Sequence, residues 1–268
     1  MQGSTAAGGR LEGSFAPLAL GLLVAMAAGR PGTARAEPRI VVSVAASFRD
    51  VGATLARGFE AANPGVAIEL NNGPSGMLAR QIEDGAPVDV FVSAGWPEVE
   101  RLRAKGLVAG PPVVVARNRL VLVVPAGSPW IGHEPRAVLA APEVTRVASG
   151  DPQTVPFGAY AKQALEAAGL WAAVAPKLVF AAEVRQALTY ADQKAVDAAI
   201  VYASDAPLAK HAVVVGEVPG ASGLAIETVA VRTRHASGPL AERFLAHLRS
   251  DAARAALDAA GFLPPRTS

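Results

Sequence analysis

IVVSVAASFRDVGATLARGFEAANPGVAIEL, residues 40–70, holds the reading that decides the fold. Residues 40–44 are a continuous apolar run rich in β-branched side chains, as a strand covered on both faces requires. From there Phe48, Val51, Leu55 and Phe59 recur at helical spacing, and Asn63-Pro64-Gly65 stops the helix. A second strand, 66–70, follows at once. Strand, tight loop, helix and strand at this spacing predict parallel strands joined by a right-handed crossover.

The same unit repeats outward. The loop 71–75 leads into a helix with Met77, Leu78 and Ile82 on one side, then a strand at 88–92 and a helix over 97–105 that ends at Gly106. The rhythm changes where strands 113–115 and 120–124 are separated only by Ala116-Arg117-Asn118-Arg119, as suits a chain leaving one sheet for another. A second series follows, with strands at 146–148, 177–180, 198–201 and 213–215 and helical patterns at 158–168 and 184–191. A strand at 228–231 then precedes two short helices carrying Leu240, Phe244, Leu248 and Leu257. The predicted class is α/β in two lobes, each a mostly parallel sheet flanked by helices. Lobe I takes 37–118 plus 223–268 and lobe II takes 119–222, with two crossing segments between them.

Composition narrows the function. Of 268 residues 51% are hydrophobic and 18% charged, which excludes a disordered or fibrous chain. Arg10, the apolar run 16–28 and the small-x-small exit Ala34-Arg35-Ala36 read as a cleavable secretory signal peptide over 1–36, too short in its apolar part to span a bilayer. That segment holds three Arg and one Glu, so 37–268 carries no formal net charge and has no electrostatic footprint for nucleic acid. There is no Cys, hence no disulfide, thiolate metal site or lipidated cysteine. No G-x-S-x-G elbow, H-E-x-x-H or phosphate loop is present, and the four His are scattered without ligand spacing, as surface or loop residues. Glu83-Asp84 reads as a solvated helix end. No enzyme is expected.

The informative residues are uncharged. Ser47 and Ser75 each sit where a strand-following loop becomes a helix, and taken singly both read as N-caps, Ser47 with Asp50 in a capping-box position. Loops at the C-terminal ends of parallel strands are where open α/β sheets bind ligands. Helix N-termini there present unpaired N–H groups to an anion. The segment 150–165 supplies another helix start near Phe157, Glu183-Val184 a further one, and Tyr202 follows a strand.

At these residues the chain resembles a known family. VAAS at 44–47, SGMLARQIEDGAPVDVFVSA at 75–94, GDPQTVPFGAYAKQAL at 150–165, VRQAL at 184–188 and IVYASDA at 200–206 look like the periplasmic molybdate-binding proteins of molybdate ABC importers. The resemblance runs from about Ile40 to Phe262. It implies the two-lobe periplasmic binding-protein fold, a monomer in the periplasm that captures molybdate, and tungstate as well, and passes it to a membrane permease without any cofactor. Carried over by position, it implies ligand hydroxyls on Ser47, Ser75 and Tyr202 and backbone N–H donors at Phe157 and Val184, the oxyanion being bound with no direct metal-ion ligands. Sulfate, phosphate or a small organic anion are the alternative ligands in the same fold. Two positions depart from the family: Phe157 stands where Ala is usual, and the loop before Ser75 has fewer hydroxyls.

Overall fold

The computed structural model describes residues 38–266, so the expected signal peptide lies outside the described residues. The chain forms the α/β architecture expected, as two five-stranded sheets flanked by helices. The first lobe begins with β1 (Arg39–Ala45), α1 (Arg49–Ala62), β2 (Ala67–Gly73), α2 (Ser75–Glu83), β3 (Val90–Ser93), α3 (Trp96–Ala104) and β4 (Val108–Arg117). The second contains β5 (Leu120–Pro125), α4 (Pro135–Ala140), β6 (Val147–Gly150), α5 (Pro156–Ala167), α6 (Trp171–Val174), β7 (Leu178–Ala181), α7 (Val184–Asp192), β8 (Ala198–Tyr202) and β9 (Ala212–Glu217). The chain then returns through β10 (Glu227–Thr233), α8 (Leu240–His247) and α9 (Asp251–Ala259).

The sheets share one plan. The first runs β2-β1-β3-β10-β4 and the second β7-β6-β8-β5-β9, and in each the fourth strand is antiparallel to both of its neighbours. In each sheet that fourth strand is the one entered straight from a crossing segment. The chain passes between lobes at 118–119 and again over 218–226. These crossings are tied together: the Asn118 N–H donates to the Ile226 carbonyl (2.8 Å), and its side-chain amide donates to Ser204 Oγ (2.8 Å).

Buried β-branched strands account for the core. Val42, Val44, Val90 and Val92 pack against Phe48, Leu55, Phe59 and Phe244 in the first lobe. Leu120, Leu122, Val147, Ala199 and Ile200 pack with Leu139 and Leu165 in the second. Several sequence readings need correction. Met77 is exposed while Leu78 and Ile82 are buried, so the apolar side of α2 excludes it. His247 is half-buried at the end of α8 rather than free on the surface or in a loop, for its ring packs edge-on to Phe59 and its Nε2 lies 3.0 Å from the Leu55 carbonyl. Glu83 is no free helix end. It bonds Arg101 (2.7 Å) and Lys105 (2.8 Å), which clamps α2 to the α3 region and holds its carboxyl below the usual range.

Candidate functional site

Parallel strands end together, so the three junctions after β1, β2 and β3 face the three after β6, β7 and β8. Ser47 lies in a short 3-10 turn, 46–48, that follows β1. Ser75 is the first residue of α2, Phe157 the second of α5 and Val184 the first of α7. Tyr202 ends β8. All five line one cavity of about 20 Å³, closed by Ala94 and Pro74 from one lobe and Val155 and Pro156 from the other. The structure therefore brings together every residue singled out in the sequence.

It also corrects why the serines are there. Neither one caps its helix: the N-cap position of α1 is Phe48, that of α2 is Pro74, and no side-chain cap bond forms at either. The 3-10 turn displaces Ser47 by one residue, and extended Pro74 takes the cap position ahead of Ser75. Ser75 Oγ accepts from the Ala94 N–H (3.1 Å), a bond that fixes the oxygen and leaves its proton to donate. Both serines are buried, Ser47 at 8% and Ser75 at 2% exposure.

Main-chain donors come from the second lobe. N–H groups in a helix's first turn have no acceptor within the helix. Pro156 opens α5 and has no N–H, so Phe157 offers the first one there, and Val184 offers that of α7. The Phe157 ring is buried and lies edge-on to Tyr202 at 6.2 Å, as part of the cavity wall. The Tyr202 hydroxyl donates to the Ala94 carbonyl across the lobes (3.4 Å). Burial holds its pKa well above the ordinary value, so it stays a proton donor at any physiological pH.

No Arg or Lys lines the cavity, and its one acid, Glu183, faces Arg49 of the other lobe at 3.8 Å. A second ion pair crosses the cleft beside it. Arg185 Nη2 meets Asp50 at 2.7 Å, while its Nε meets fully buried Asp205 at 3.3 Å. Burial raises the Asp205 carboxyl to about 6 against the pull of Arg185. The sequence places Arg185 beside Val184 but does not name its partners. Partners 135 residues apart leave no local signal. A larger groove of about 880 Å³ holds Arg117, Arg249, Arg254 and Arg266, but it belongs to one lobe alone, so lobe closure encloses nothing there. Among the described residues no cluster of His, Asp or Glu is arranged to hold a metal ion.

Two sheets of identical strand order, hinged at two crossings and closed over a small cavity at their strand ends, describe a solute trap. The model of the family described as bacterial extracellular solute-binding protein matches residues 40–263. The chain belongs to that family. Among its relatives, the molybdate-binding protein ModA of Haemophilus influenzae is 31% identical over 85% of this chain and 91% of its own length. ModA of Mycobacterium bovis is 31% identical over 91% and 93%. The solved periplasmic molybdate-binding protein of Azotobacter vinelandii superposes with a TM-score of 0.71 at 28% identity, over 85% of this chain and all of that one.

Proposed function

We propose that the protein captures molybdate, and tungstate with it, in the cavity between Ser47, Ser75, Phe157, Val184 and Tyr202, and delivers the ion to an ABC importer. The observation that carries this reading is that residues able to supply uncharged donors, drawn from both lobes, line one small cavity. A tetrahedral dianion leaving water needs donors on all sides. Helix N-termini and hydroxyls supply them while keeping a fixed countercharge out of the cleft, so the ion is held by many bonds that the reopening lobes break one lobe at a time.

Size supports a small inorganic ion. A cavity of about 20 Å³ is far short of the several hundred that organic ligands fill. Donors at fixed positions sort oxyanions by bond length, because a smaller sulfate stretches or loses some contacts. Each charge-assisted bond lost costs about 1.5–3 kcal/mol, so losing two separates ions by about two orders of magnitude or more. A protonated phosphate carries an O–H that meets only donors. The names of the relatives, which are molybdate binders, agree with this chemistry. The reading includes secretion to the periplasm by the leader 1–36 and a monomeric state.

Calorimetric titration of residues 37–268 with molybdate, tungstate, sulfate and phosphate at fixed ionic strength tests it. Submicromolar binding of the first two and none of the others is the expected outcome. Silence from molybdate and tungstate overturns the proposal.

A further inference from the structure

We infer that Gly76 is a positioning residue for ligand capture: the absence of a side chain there is what lets the two lobes close. The inference rests on the cavity being an ion trap and adds a residue that touches no ligand. Gly76 is the second residue of α2, in the first lobe, and is buried. A Cβ built on it would stand 2.5 Å from the carbonyl oxygen of Thr154, in the second lobe. No real Cβ contact is that short, so one partner would have to move.

Thr154 is held at its backbone. Its carbonyl belongs to a turn in which the Asp151 carbonyl accepts from both the Thr154 and Val155 N–H groups (3.1 Å each) and Asp151 Oδ1 accepts from the Gln153 N–H (2.9 Å). The turn is pinned at its base as well, because Gly150 and Gly158 pack so closely that a Cβ on Gly158 would lie 2.4 Å from the Gly150 oxygen. The obstacle is main chain on a rigid loop, and that loop leads directly into Phe157. Holding the lobes apart relieves the clash without breaking those bonds, and the donors of α5 then miss an ion held by Ser47 and Ser75.

A second glycine of the first lobe meets the same segment less tightly. A Cβ on Gly95 would lie 3.1 Å from the Tyr160 hydroxyl and 3.2 Å from Pro156 Cβ, contacts that a few tenths of an ångström relieve. Gly58, on the exposed face of α1, provides the contrast, for its Cβ would make only ordinary contact with His247 at 3.5 Å. The three positions form a graded series.

The test is molybdate affinity and melting of Gly76→Ala, Gly95→Ala and Gly58→Ala in residues 37–268. Overpacking against fixed backbone predicts about 100-fold weaker binding for Gly76→Ala, about three- to tenfold weaker for Gly95→Ala and no change for Gly58→Ala. The ligand-free melting temperature of Gly76→Ala should be unchanged or raised, because alanine suits a helix better than glycine and the open form carries no clash. Wild-type-like affinity in Gly76→Ala, or a ligand-free fold as damaged as its binding, overturns the inference. If Gly76→Ala yields no folded protein, Gly95→Ala decides: weakened binding with melting intact supports closure control, and unchanged binding defeats it. Closure is also read directly, as the change of an interlobe distance when molybdate is added. The chain has no Cys, so labels at Arg57→Cys on α1 and Glu166→Cys on α5 report the interlobe distance alone. Failure of the wild type to bind molybdate would sink the proposed ligand, whereas a Gly76→Ala distance that shortens on adding molybdate as the parent's does would sink this inference.

Discussion

The first lobe brings side-chain hydroxyls to the cavity, from the turn after β1 and the head of α2. The second brings main-chain N–H groups, from the heads of α5 and α7, and one hydroxyl at the end of β8. Because the sheets have the same strand order, the positions correspond: Ser47 stands where Phe157 does, Ser75 where Val184 does, and Ala94 where Tyr202 does. The third pair is joined directly by the bond from the Tyr202 hydroxyl to the Ala94 carbonyl. One fold thus builds half of a site from replaceable atoms and half from atoms every residue but proline possesses. A benzyl group at Phe157 is tolerated for that reason, since the N–H is kept and the ring becomes wall.

This contrast can be broken by substitution. Ser47→Ala with Ser75→Ala removes two charge-assisted donors and should weaken molybdate binding by about a thousandfold in calorimetry. The two changes differ in the ligand-free protein. Ser75→Ala strands the Ala94 N–H and should cost about 1–3 kcal/mol of stability, whereas Ser47→Ala, which caps nothing, should leave the denaturation midpoint near the parent's. Tyr202→Phe removes the second lobe's single hydroxyl donor, with an expected loss of about tenfold. Val184→Ala keeps the main-chain donor. Its affinity should stay within about threefold while stability falls by about 1.5 kcal/mol from lost burial. Equal affinity losses in Val184→Ala and Ser47→Ala would abolish the distinction between the lobes.

The carboxylates of the second lobe give a pH test. Asp205 is raised to about 6 in the folded chain, so the folded state holds its proton more tightly than the unfolded one. Its contribution is fully present below about pH 4 and is lost as pH rises through 6. Asp192 and Asp197, each accepting main-chain N–H groups, are lowered, and their contribution is lost as pH falls through the acid range. Denaturation midpoints of Asp205→Asn should therefore be flatter than the parent's between about pH 4 and 6. The smallest effect belongs to the cleft-crossing ion pair. Asp50 is largely exposed, so Asp50→Asn should speed molybdate release by only about two- to threefold, and added salt should erase the difference in stopped-flow measurements.

Much of this was legible in the chain. The β-branched run at 40–44 and the loop that follows it identify a parallel strand, while the equally apolar run at 120–124 shows burial but not direction, for β5 is antiparallel to both neighbours; helix starts after parallel strands mark the neighbourhoods of Ser47, Ser75, Phe157 and Val184. The short helices α4 and α6 escaped because neither is long enough to show a period. The cap reading of the serines failed for a geometric reason: one residue of 3-10 turn, or a proline in extended conformation, moves the cap without altering the residue types on either side. His247 was misread because its partners, Phe59 and Leu55, lie nearly two hundred residues away.

Strand and helix period, turn residues and the pattern of small polar residues at strand ends are local properties, and residues 40–70 alone establish α/β class through them. Which groups meet across the cleft is a property of two sheets folded back on each other. Gly76 against Thr154, Arg185 between Asp50 and Asp205, and Ser75 bonded to Ala94 all join segments far apart in the chain. Sequence periodicity carries no information about such distances, because they are fixed by the packing of whole lobes, where a single methyl group decides whether the lobes meet.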